Sequence, residues 1–456
     1  MLTDGPAESG IGSDPTDAAH SFISSLKPDC LVLVAVSGGS DSVGMLVALC
    51  EAVETCARTD VRLAAVTVDH RLRLASAEEA EGVAALSARL SVPHEILSWD
   101  DEKPSTGVMA EARHARYQML ARYAETIRAD VIVVAHTLND QAETLFMRQQ
   151  RKSSDAALPA SGMASSTLVA ARHWVARPFL SVEREPIRQF LRLRRIRWVD
   201  DPSNSDAHYE RVRVRNRLID SSERRMLAER AEAAGLRRTH VSEQAAELFV
   251  KSCKIHAGVV AEISVAPLLD TPEAGRYLLS TLLAVIGGRP YGPGGDVLAR
   301  AMLFLKDGHK ARMTGGRCLL DRRGDHLFIL REARDVPECE IAAGETGLWD
   351  HRFRIENRSG ITLAVRPAST VCKSADIEKP VCSDLPPGIR KTSQKVFPVI
   401  NNDVAAAETE ITPFLAPFDL FLPLFDLKLA RSVAAGFNRV PYPDRSFVHL
   451  PNEKDS

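Results

Sequence analysis

The chain has 456 residues, which is too long for one compact core and predicts two or three domains. Hydrophobic residues make up 45% and charged residues 26% of the sequence, the balance of a soluble globular protein. The formal net charge of -2 excludes binding of nucleic acid through overall charge, so a polyanion site would need local clusters of basic residues.

The eight cysteines are scattered, without a CxxC pair or the spacing of a zinc site or disulfide framework, which is typical of a reducing compartment. Residues 1–20 are rich in Asp, Gly, Ser and Pro and lack the segments of a signal peptide. No apolar run approaches the ~20 residues that cross a bilayer. We therefore expect a disordered tail over 1–20 and a cytoplasmic protein with no membrane partner.

The first predicted strand, 31–36, leads directly through two glycines into an apolar helix. The connecting residues are Ser37, Gly38, Gly39, Ser40, Asp41 and Ser42. Glycines allow a tight turn and close backbone approach, and the first N–H groups of a helix attract an anion. We predict a phosphate-binding turn in which Asp41 could ligate Mg²⁺. The alternatives are an ordinary Gly/Ser turn and, for Asp41, an acid that only favours a helix N-terminus.

Further strands and helices alternate along the chain. Strands are predicted over 62–68, 94–99, 131–135 and 168–177, and helices over 76–90, 109–128, 139–151 and 182–195. This alternation predicts an α/β fold with a doubly wound parallel sheet. Ligands of such sheets bind at the carboxyl ends of the strands. The phosphate-binding turn falls there, and so do Asp69, His70 and the segment 136–143.

The rest of the chain predicts a change of architecture. Residues 152–166 are polar and small, which favours a mobile loop, and 198–205 form an irregular turn. A catalytic domain over 21–220 is followed by a helical connector over 221–250. Residues 251–456 mix helical and strand patterns, such as 297–305 and 326–330, and predict a smaller α+β region. It could divide again near 335–395.

Asp140 and Glu143 stand three residues apart, so both carboxylates project from one helix face. They could bind and deprotonate a cationic amine, or cap a helix for which Asn139 is the N-cap. Arg113 and Arg116 share a face in the same way and could bind phosphate, hold a nucleic acid or form a solvated face.

Basic residues cluster after position 183. They are Arg184, Arg188, Arg192, Arg194, Arg195 and Arg197, followed by Arg211, Arg213, Arg215 and Arg217. Helical spacing at 184, 188, 192 and 195 predicts one stripe, and arginine forks suit phosphates. Arg188, Arg192 and Arg195 are therefore the candidate RNA-binding residues, with a solvated face as the alternative.

The turn SGGSDS resembles the SGGxDS loop of the N-type ATP pyrophosphatases, or PP-loop superfamily. Other segments in the same order over about 31–217 resemble tRNA(Ile)-lysidine synthases: VDHRLR, ARHARY, AHTLNDQAET, RPFL and WVDDPSN. Two positions depart from that family's AHHxDDQxET pattern, since Thr137 replaces a histidine and Asn139 an aspartate. Past residue 240 the resemblance is faint.

The resemblance implies that ATP adenylates the C2 oxygen of the wobble cytidine in the CAU-anticodon isoleucine tRNA, and that free L-lysine then displaces AMP. The expected cofactors are ATP and Mg²⁺, and the expected partners are that tRNA and lysine; a homodimer is a possible assembly. Asp41, Arg113, Arg116, Asp140 and Glu143 would be catalytic. The nucleotide contacts would be Ser37, Gly38, Gly39, Ser40, Asp41, Ser42, Asp69, His70 and His136, and the region 251–456 would bind tRNA.

Two other functions fit the same turn. A tRNA thiolation enzyme also adenylates a base, but the sequence offers no cysteine in the segment AHTLNDQAET. A non-catalytic nucleotide-binding or tRNA-binding module could keep the fold, although the presence of Asp41, Asp140 and Glu143 argues against it. An amidotransferase is excluded by the lack of a glutaminase-like domain.

Overall fold

The computed structural model describes residues 12–71, 76–100, 108–151, 158, 160–200, 210–307, 311–371, 384–400 and 406–448. Within them the chain forms two compact units. One is built from Met1–Lys152, Ala160–Leu236 and Pro443–Ser456, and the other from Ser153–Pro159 and Arg237–Tyr442. No helix among the described residues is long and apolar enough to span a membrane.

The first unit alternates strands and helices. Its strands are β1 (Leu31–Ala35), β2 (Arg62–Asp69), β3 (His94–Ser98), β4 (Val131–Val133), β5 (Ser166–Val169) and β6 (His173–Ala176). Its helices are α1 (Pro15–Ser25), α2 (Ser40–Thr55), α3 (Ser76–Arg89), α4 (Val108–Ile127), α5 (Leu138–Gln150), α6 (Arg184–Leu193) and α7 (Glu210–Arg217). Helix α8 (Ser221–Ser252) begins in this unit, over the segment for which a helical connector is predicted.

The strands of this unit lie in the order β5-β6-β4-β1-β2-β3. All neighbours pair in parallel except β5, which pairs antiparallel with β6. The centre is apolar, because Val32, Leu33 and Val34 of β1 are fully buried. The α/β fold with a doubly wound sheet is therefore confirmed. Strand order reverses between β1 and β4, and this switch point is where such sheets bind ligands.

Two predictions in this unit need correction. Residues 15–20 are not part of a disordered tail, because α1 begins at Pro15, is capped by the Asp14 side chain and buries Phe22 and Ile23. Residues 1–11 lie outside the described chain. The predicted strand over 168–177 is instead the hairpin β5–β6, which turns at Ala170 and Ala171, both with positive φ. Of the predicted loop over 152–166, the structure describes 158 and 160–166, and the last residue belongs to β5; of the predicted turn over 198–205, it describes only 198–200.

The second unit is rich in antiparallel strands. They are β7 (Cys253–His256), β8 (Val260–Ser264), β9 (Ala311–Gly315), β10 (Cys318–Arg323), β11 (His326–Arg331), β12 (Cys339–Ile341), β13 (Thr346–Trp349), β14 (Phe353–Asn357), β15 (Leu363–Pro367), β16 (Pro398–Ile400), β17 (Thr409–Pro413) and β18 (Phe421–Pro423). The helices are α9 (Val265–Asp270), α10 (Pro272–Gly287), α11 (Gly295–Lys306), α12 (Ala368–Val371), α13 (Pro387–Gln394), α14 (Ala416–Asp419) and α15 (Leu427–Gly436). The predicted helix over 297–305 and strand over 326–330 are α11 and β11.

All of these strands except β18 form a five-stranded sheet, β7-β8-β11-β10-β9, and two three-stranded sheets, β12-β15-β16 and β13-β14-β17. A hydrophobic core joins residues of all three sheets, including Leu330, Trp349, Ile355 and Val365. The mixed α+β character predicted for the C-terminal region is therefore present.

Candidate active site

The turn between β1 and α2 is held in shape by its own serines. Gly38 has a φ of 80°, which only glycine adopts without strain, and Gly39 is the N-cap of α2. The Ser42 hydroxyl accepts a hydrogen bond from the Ser37 backbone N–H at 3.0 Å and donates to the Gly39 carbonyl at 3.1 Å. The turn is thus preformed, as a site for a phosphate chain requires.

A second contact fixes the turn from outside. The backbone N–H of Val199 donates to the Gly38 carbonyl at 2.9 Å. The segment after α6 therefore lies against the phosphate-binding turn, although the two are far apart in sequence.

The end of β2 contains the predicted pair Asp69 and His70. The Asp69 carboxylate accepts the Arg71 backbone N–H at 2.8 Å, so it shapes the local turn. The guanidinium of Arg116 lies within hydrogen-bond distance of His70 Nε2, with Nε at 3.2 Å and Nη2 at 3.1 Å. The structure thus brings together two predicted site residues from different elements.

Arg113 lies one turn before Tyr117 on α4. Its Nη2 is 3.4 Å from the Tyr117 hydroxyl, and its guanidinium lies over the tyrosine ring at 5.0 Å from the centroid. Arg113 and Arg116 form no ion pair with a described residue, and both side chains are exposed. They are therefore cations available to an anionic ligand.

The start of α5 differs from the prediction. The N-cap is Thr137 and not Asn139: the Thr137 N–H and hydroxyl both donate to Asp140 Oδ2, at 2.8 and 3.0 Å, in a capping box. Asn139 lies in the first turn, and its Oδ1 accepts the Arg184 backbone N–H of α6 at 3.0 Å. The threonine that departs from the family pattern takes over the cap because its hydroxyl can bond to Asp140.

Three carboxylates meet three guanidiniums at the switch point. Asp41 Oδ2 forms an ion pair with Arg184 Nε at 2.8 Å, and Asp140 Oδ1 forms one with Arg211 Nη2 at 2.7 Å. Glu143 binds Nε of Arg211 at 2.7 Å and Nε of a further arginine of α7, Arg215, at 2.9 Å. We call these six residues the carboxylate–arginine cluster. Its formal charge sums to zero.

Burial and charge set the protonation of this cluster. Burial raises the pKa of Asp41 above its ordinary value; Arg184 opposes the rise and Asp140 adds to it. Burial also acts to raise the pKa of Asp140, but the guanidiniums of Arg211 and Arg184 outweigh it and lower that pKa. Asp140 is therefore ionised at neutral pH and accepts a charge-assisted hydrogen bond from Arg211.

His136 lies just beyond β4, close to the cluster. Its Nδ1 atom is buried and has no hydrogen-bond partner within the described chain. Burial, followed by the charge of Arg177, lowers the pKa of His136 well below its ordinary value. The imidazole is therefore neutral at pH 7 and has a ring nitrogen free for a ligand.

The predicted stripe of arginines on α6 is wrong as a single helical face. The helix ends at Leu193, and Arg195 has a φ of 54°, outside helical geometry. Arg184 belongs to the carboxylate–arginine cluster. Arg188 contacts Asp200 at 3.0 Å and Arg192 contacts Glu185 at 2.7 Å, and both remain partly exposed. The role of Arg188, Arg192 and Arg195 in RNA binding stays a prediction.

The sequence analysis missed Arg184, Arg211 and Arg215 as members of the site, because it assigned them to the basic cluster. One pattern in the sequence could have identified two of them. Arg211 and Arg215 are four residues apart and share a helix face. Asp140 and Glu143 on α5 are a matching acidic pair.

Two thiols of the first unit have raised pKa values. Burial raises the pKa of Cys50 to about 12 and that of Cys30 to about 11, so both stay protonated at neutral pH. Cys372 and Cys382 lie outside the described residues.

Comparison with known proteins identifies the family of the chain. Residues 16–222 match the family model of the PP-loop domain, which defines the chain as a PP-loop ATP-binding protein. It is 40% identical to the tRNA(Ile)-lysidine synthase of Rhizobium meliloti over 94% of this chain and 96% of that protein. It is 35% identical to that of Mesorhizobium japonicum over 90% and 93%. The chain belongs to the tRNA(Ile)-lysidine synthase family, and is an ATP-dependent tRNA-modifying ligase.

A tRNA thiolase from Methanococcus maripaludis is a structural neighbour, with a TM-score of 0.41 and 13% identity over 48% of this chain and 77% of that one. The family assignment rests on the sequence relatives.

Proposed function

We propose that this chain joins free L-lysine to C2 of the wobble cytidine in the CAU-anticodon isoleucine tRNA, forming lysidine, AMP and pyrophosphate. The observation that carries the proposal is the meeting of the preformed phosphate turn with Asp140 and Glu143 at one sheet edge, in a chain that matches lysidine synthases over 94% of its length. The product base would pair with A instead of G.

In the first step the C2 oxygen of the cytidine attacks the α-phosphorus of ATP, and pyrophosphate leaves. The turn over 37–42 would bind the phosphate chain through its backbone N–H groups. Asp41 fits as the Mg²⁺ ligand, because Mg²⁺ is bound by one or two carboxylates together with phosphates. The ion would neutralise charge on the departing pyrophosphate.

Arg113 and Arg116 would bind the α-phosphate of the adenylate, since both are exposed cations without an acidic partner in the described chain. His70 positions Arg116 through the hydrogen bonds at 3.1 and 3.2 Å. His136 would contact the nucleotide or the base as a neutral imidazole. Asp69 contributes by shaping the turn after β2.

In the second step the lysine ε-nitrogen attacks C2, the bond from C2 to the adenylate oxygen breaks, and the ammonium proton is lost. An unperturbed lysine amine has a pKa of about 10.4, so the neutral form is scarce at pH 7 by a factor of roughly 2,500. Asp140 and Glu143 would bind the ammonium and accept its proton during attack. They can do so once Arg211 and Arg215 have moved away.

The tRNA would contact both units. Arg188, Arg192 and Arg195 would supply positive charge on the first unit, and the second unit, which contains most of the region 251–456, would bind other parts of the tRNA. Exposed arginines bind phosphates through charge-assisted hydrogen bonds.

The test is incubation of the protein with ATP, Mg²⁺, labelled lysine and a mixture of tRNAs. We expect label to enter the CAU isoleucine tRNA alone and to depend on ATP. The same tRNA with its wobble cytidine replaced by uridine is the matched control. Label in other tRNAs, or none in any, would contradict the proposed substrate.

A further inference from the structure

The strongest observation outside the predicted site residues is the position of Arg184. It is the first residue of α6, yet its guanidinium reaches two other elements. Nε donates to Asp41 Oδ2 of α2 at 2.8 Å, and Nη2 lies 3.6 Å from Asp140 Oδ1 of α5. Its side chain is only 17% exposed. Arg184 therefore joins the phosphate-binding turn to the Asp140 carboxylate of α5 through one largely buried cation.

Asn139 fixes the backbone of the same residue. Its side-chain carbonyl accepts the Arg184 N–H at 3.0 Å, which satisfies one of the free N–H groups at the start of α6. The Glu183 side chain, at the N-cap, makes no capping hydrogen bond. Asn139 thus takes the place of a local cap and ties α6 to the first turn of α5, at a position where the family pattern has an aspartate.

We propose that Asn139 and Arg184 form one positioning unit for adenylation, in which Asn139 sets the start of α6 and Arg184 thereby holds the Asp41 carboxylate beside Asp140. The position needs a hydrogen-bond acceptor, which asparagine and aspartate both provide. Within the part of the chain that the structure describes, Arg184 is the one residue whose guanidinium contacts both Asp41 and Asp140. This proposal rests on the proposed function, because its readout is tRNA-dependent adenylation.

The test uses the full-length protein with the CAU isoleucine tRNA, and follows ATP–pyrophosphate exchange at varied ATP. Arg184→Gln should lower kcat by roughly 10- to 100-fold while KM for ATP changes by less than about threefold, the pattern for a group that acts on the transition state. Arg184→Lys should recover part of the loss, because it keeps the charge but not the fork. Arg172→Gln is the matched control: Arg172 pairs with Glu125 on the surface, away from the cluster.

Asn139 provides the second arm of the test. Asn139→Asp should keep the exchange rate near that of the wild type, whereas Asn139→Ala should lower kcat several-fold. In the Arg184→Gln background, Asn139→Ala should have no further effect, because residues that act through one another are not additive. Thermal unfolding curves identify any variant that fails to fold, and Arg184→Lys and Asn139→Ala then still decide the question.

Two outcomes would overturn the positioning unit: an Arg184→Gln variant with wild-type kcat, or fully additive losses in the double variant. A wild-type protein that shows no tRNA-dependent exchange would instead overturn the proposed function.

Discussion

Two buried groups of arginines and carboxylates, one in each unit, show how similar side chains can serve different ends. In the first unit, the carboxylate–arginine cluster matches three acids with three guanidiniums. In the second, the single carboxylate of Asp350 is fully buried and contacts Arg317, Arg331 and Arg352. Arg331 Nε is 3.0 Å and Arg352 Nε is 2.6 Å from Asp350 Oδ2.

The two groups differ in how the remaining N–H groups are satisfied. Arg331 also donates to the backbone carbonyls of Arg317, Arg334 and Asp335, and Arg352 donates to that of Val396. The side chains of Arg331 and Arg352 are 2% and 4% exposed, although that of Arg317 is 32% exposed. The two arginines of α7 have side chains that are 39% and 29% exposed. A group sealed by backbone carbonyls cross-links the fold, whereas a group open to solvent can exchange its partners for a ligand.

The largest effect should come from breaking the sealed group. Asp350→Asn leaves the two buried guanidiniums of Arg331 and Arg352 without their anion, and we expect the free energy of unfolding of the second unit to fall by about 3–5 kcal/mol. Urea unfolding followed by Trp349 fluorescence measures it. Glu356→Gln is the control, since its ion pair with Arg358 is exposed and contributes little to stability. Equal stability of the two variants would show that Asp350 is not a structural cross-link.

Changes in the carboxylate–arginine cluster and in the phosphate-binding turn should lower activity more than stability. Asp41→Ala and Ser37→Ala should lower the rate of tRNA adenylation by about 100-fold or more, because they remove the metal ligand and a phosphate contact. Release of pyrophosphate measures the rate, and thermal unfolding checks the fold. Pyrophosphate release near the wild-type rate in Asp41→Ala would remove that residue from the mechanism.

The two steps should separate at α5. Asp140→Asn and Glu143→Gln should reduce lysine use by about 100-fold, the usual contribution of a general base, while adenylation continues in part. Asparagine can still accept the hydrogen bonds of Thr137, so the cap of α5 survives. Adenylated tRNA that accumulates without lysine transfer is the expected product. If both variants instead lose ATP binding, these carboxylates belong to the metal site.

The smallest effect concerns arginines that lie outside both groups. Replacing Arg188, Arg192 and Arg195 with alanine should weaken tRNA binding and flatten the dependence of log K on log salt by up to about one unit per lost phosphate contact. Binding of ATP without tRNA should stay the same in a variant with Arg192 and Arg195 alone replaced, because Arg188 Nε lies 3.5 Å from the Ser40 hydroxyl of the phosphate-binding turn. An unchanged salt slope in a folded variant would place the tRNA contacts of the protein beyond residue 251.

The fold and half of the site could be predicted because their determinants are local. A buried strand, two glycines and a helix define the phosphate turn within a dozen residues, and the end of β4 is equally compact. The arginines of the cluster could not be found in this way. Arg184 is 143 residues from Asp41, and Arg211 is 71 residues from Asp140. A run of arginines in a sequence does not show which side chains are buried against acids.

Local sequence patterns also could not predict the hairpin β5–β6 or the N-cap of α5. The hairpin β5–β6 was predicted as one strand because both halves are apolar, and the turn at Ala170 and Ala171 contains neither glycine nor proline. The N-cap of α5 was misplaced for a related reason. Asparagine is a good N-cap, but Thr137 could also bond to Asp140, and the actual start of the helix decides between them.

The capping box at Thr137 leaves only one oxygen of the Asp140 carboxylate facing the arginines. Oδ2 is occupied by two donors from Thr137, so Oδ1 alone is left for a cation, and Arg211 covers it at 2.7 Å. An ammonium ligand would therefore compete with Arg211 for Oδ1, which Arg184 Nη2 also approaches to 3.6 Å. Because one positive charge leaves as another arrives, the exchange is electrically neutral, and the site can admit its amine without ever exposing a bare buried anion.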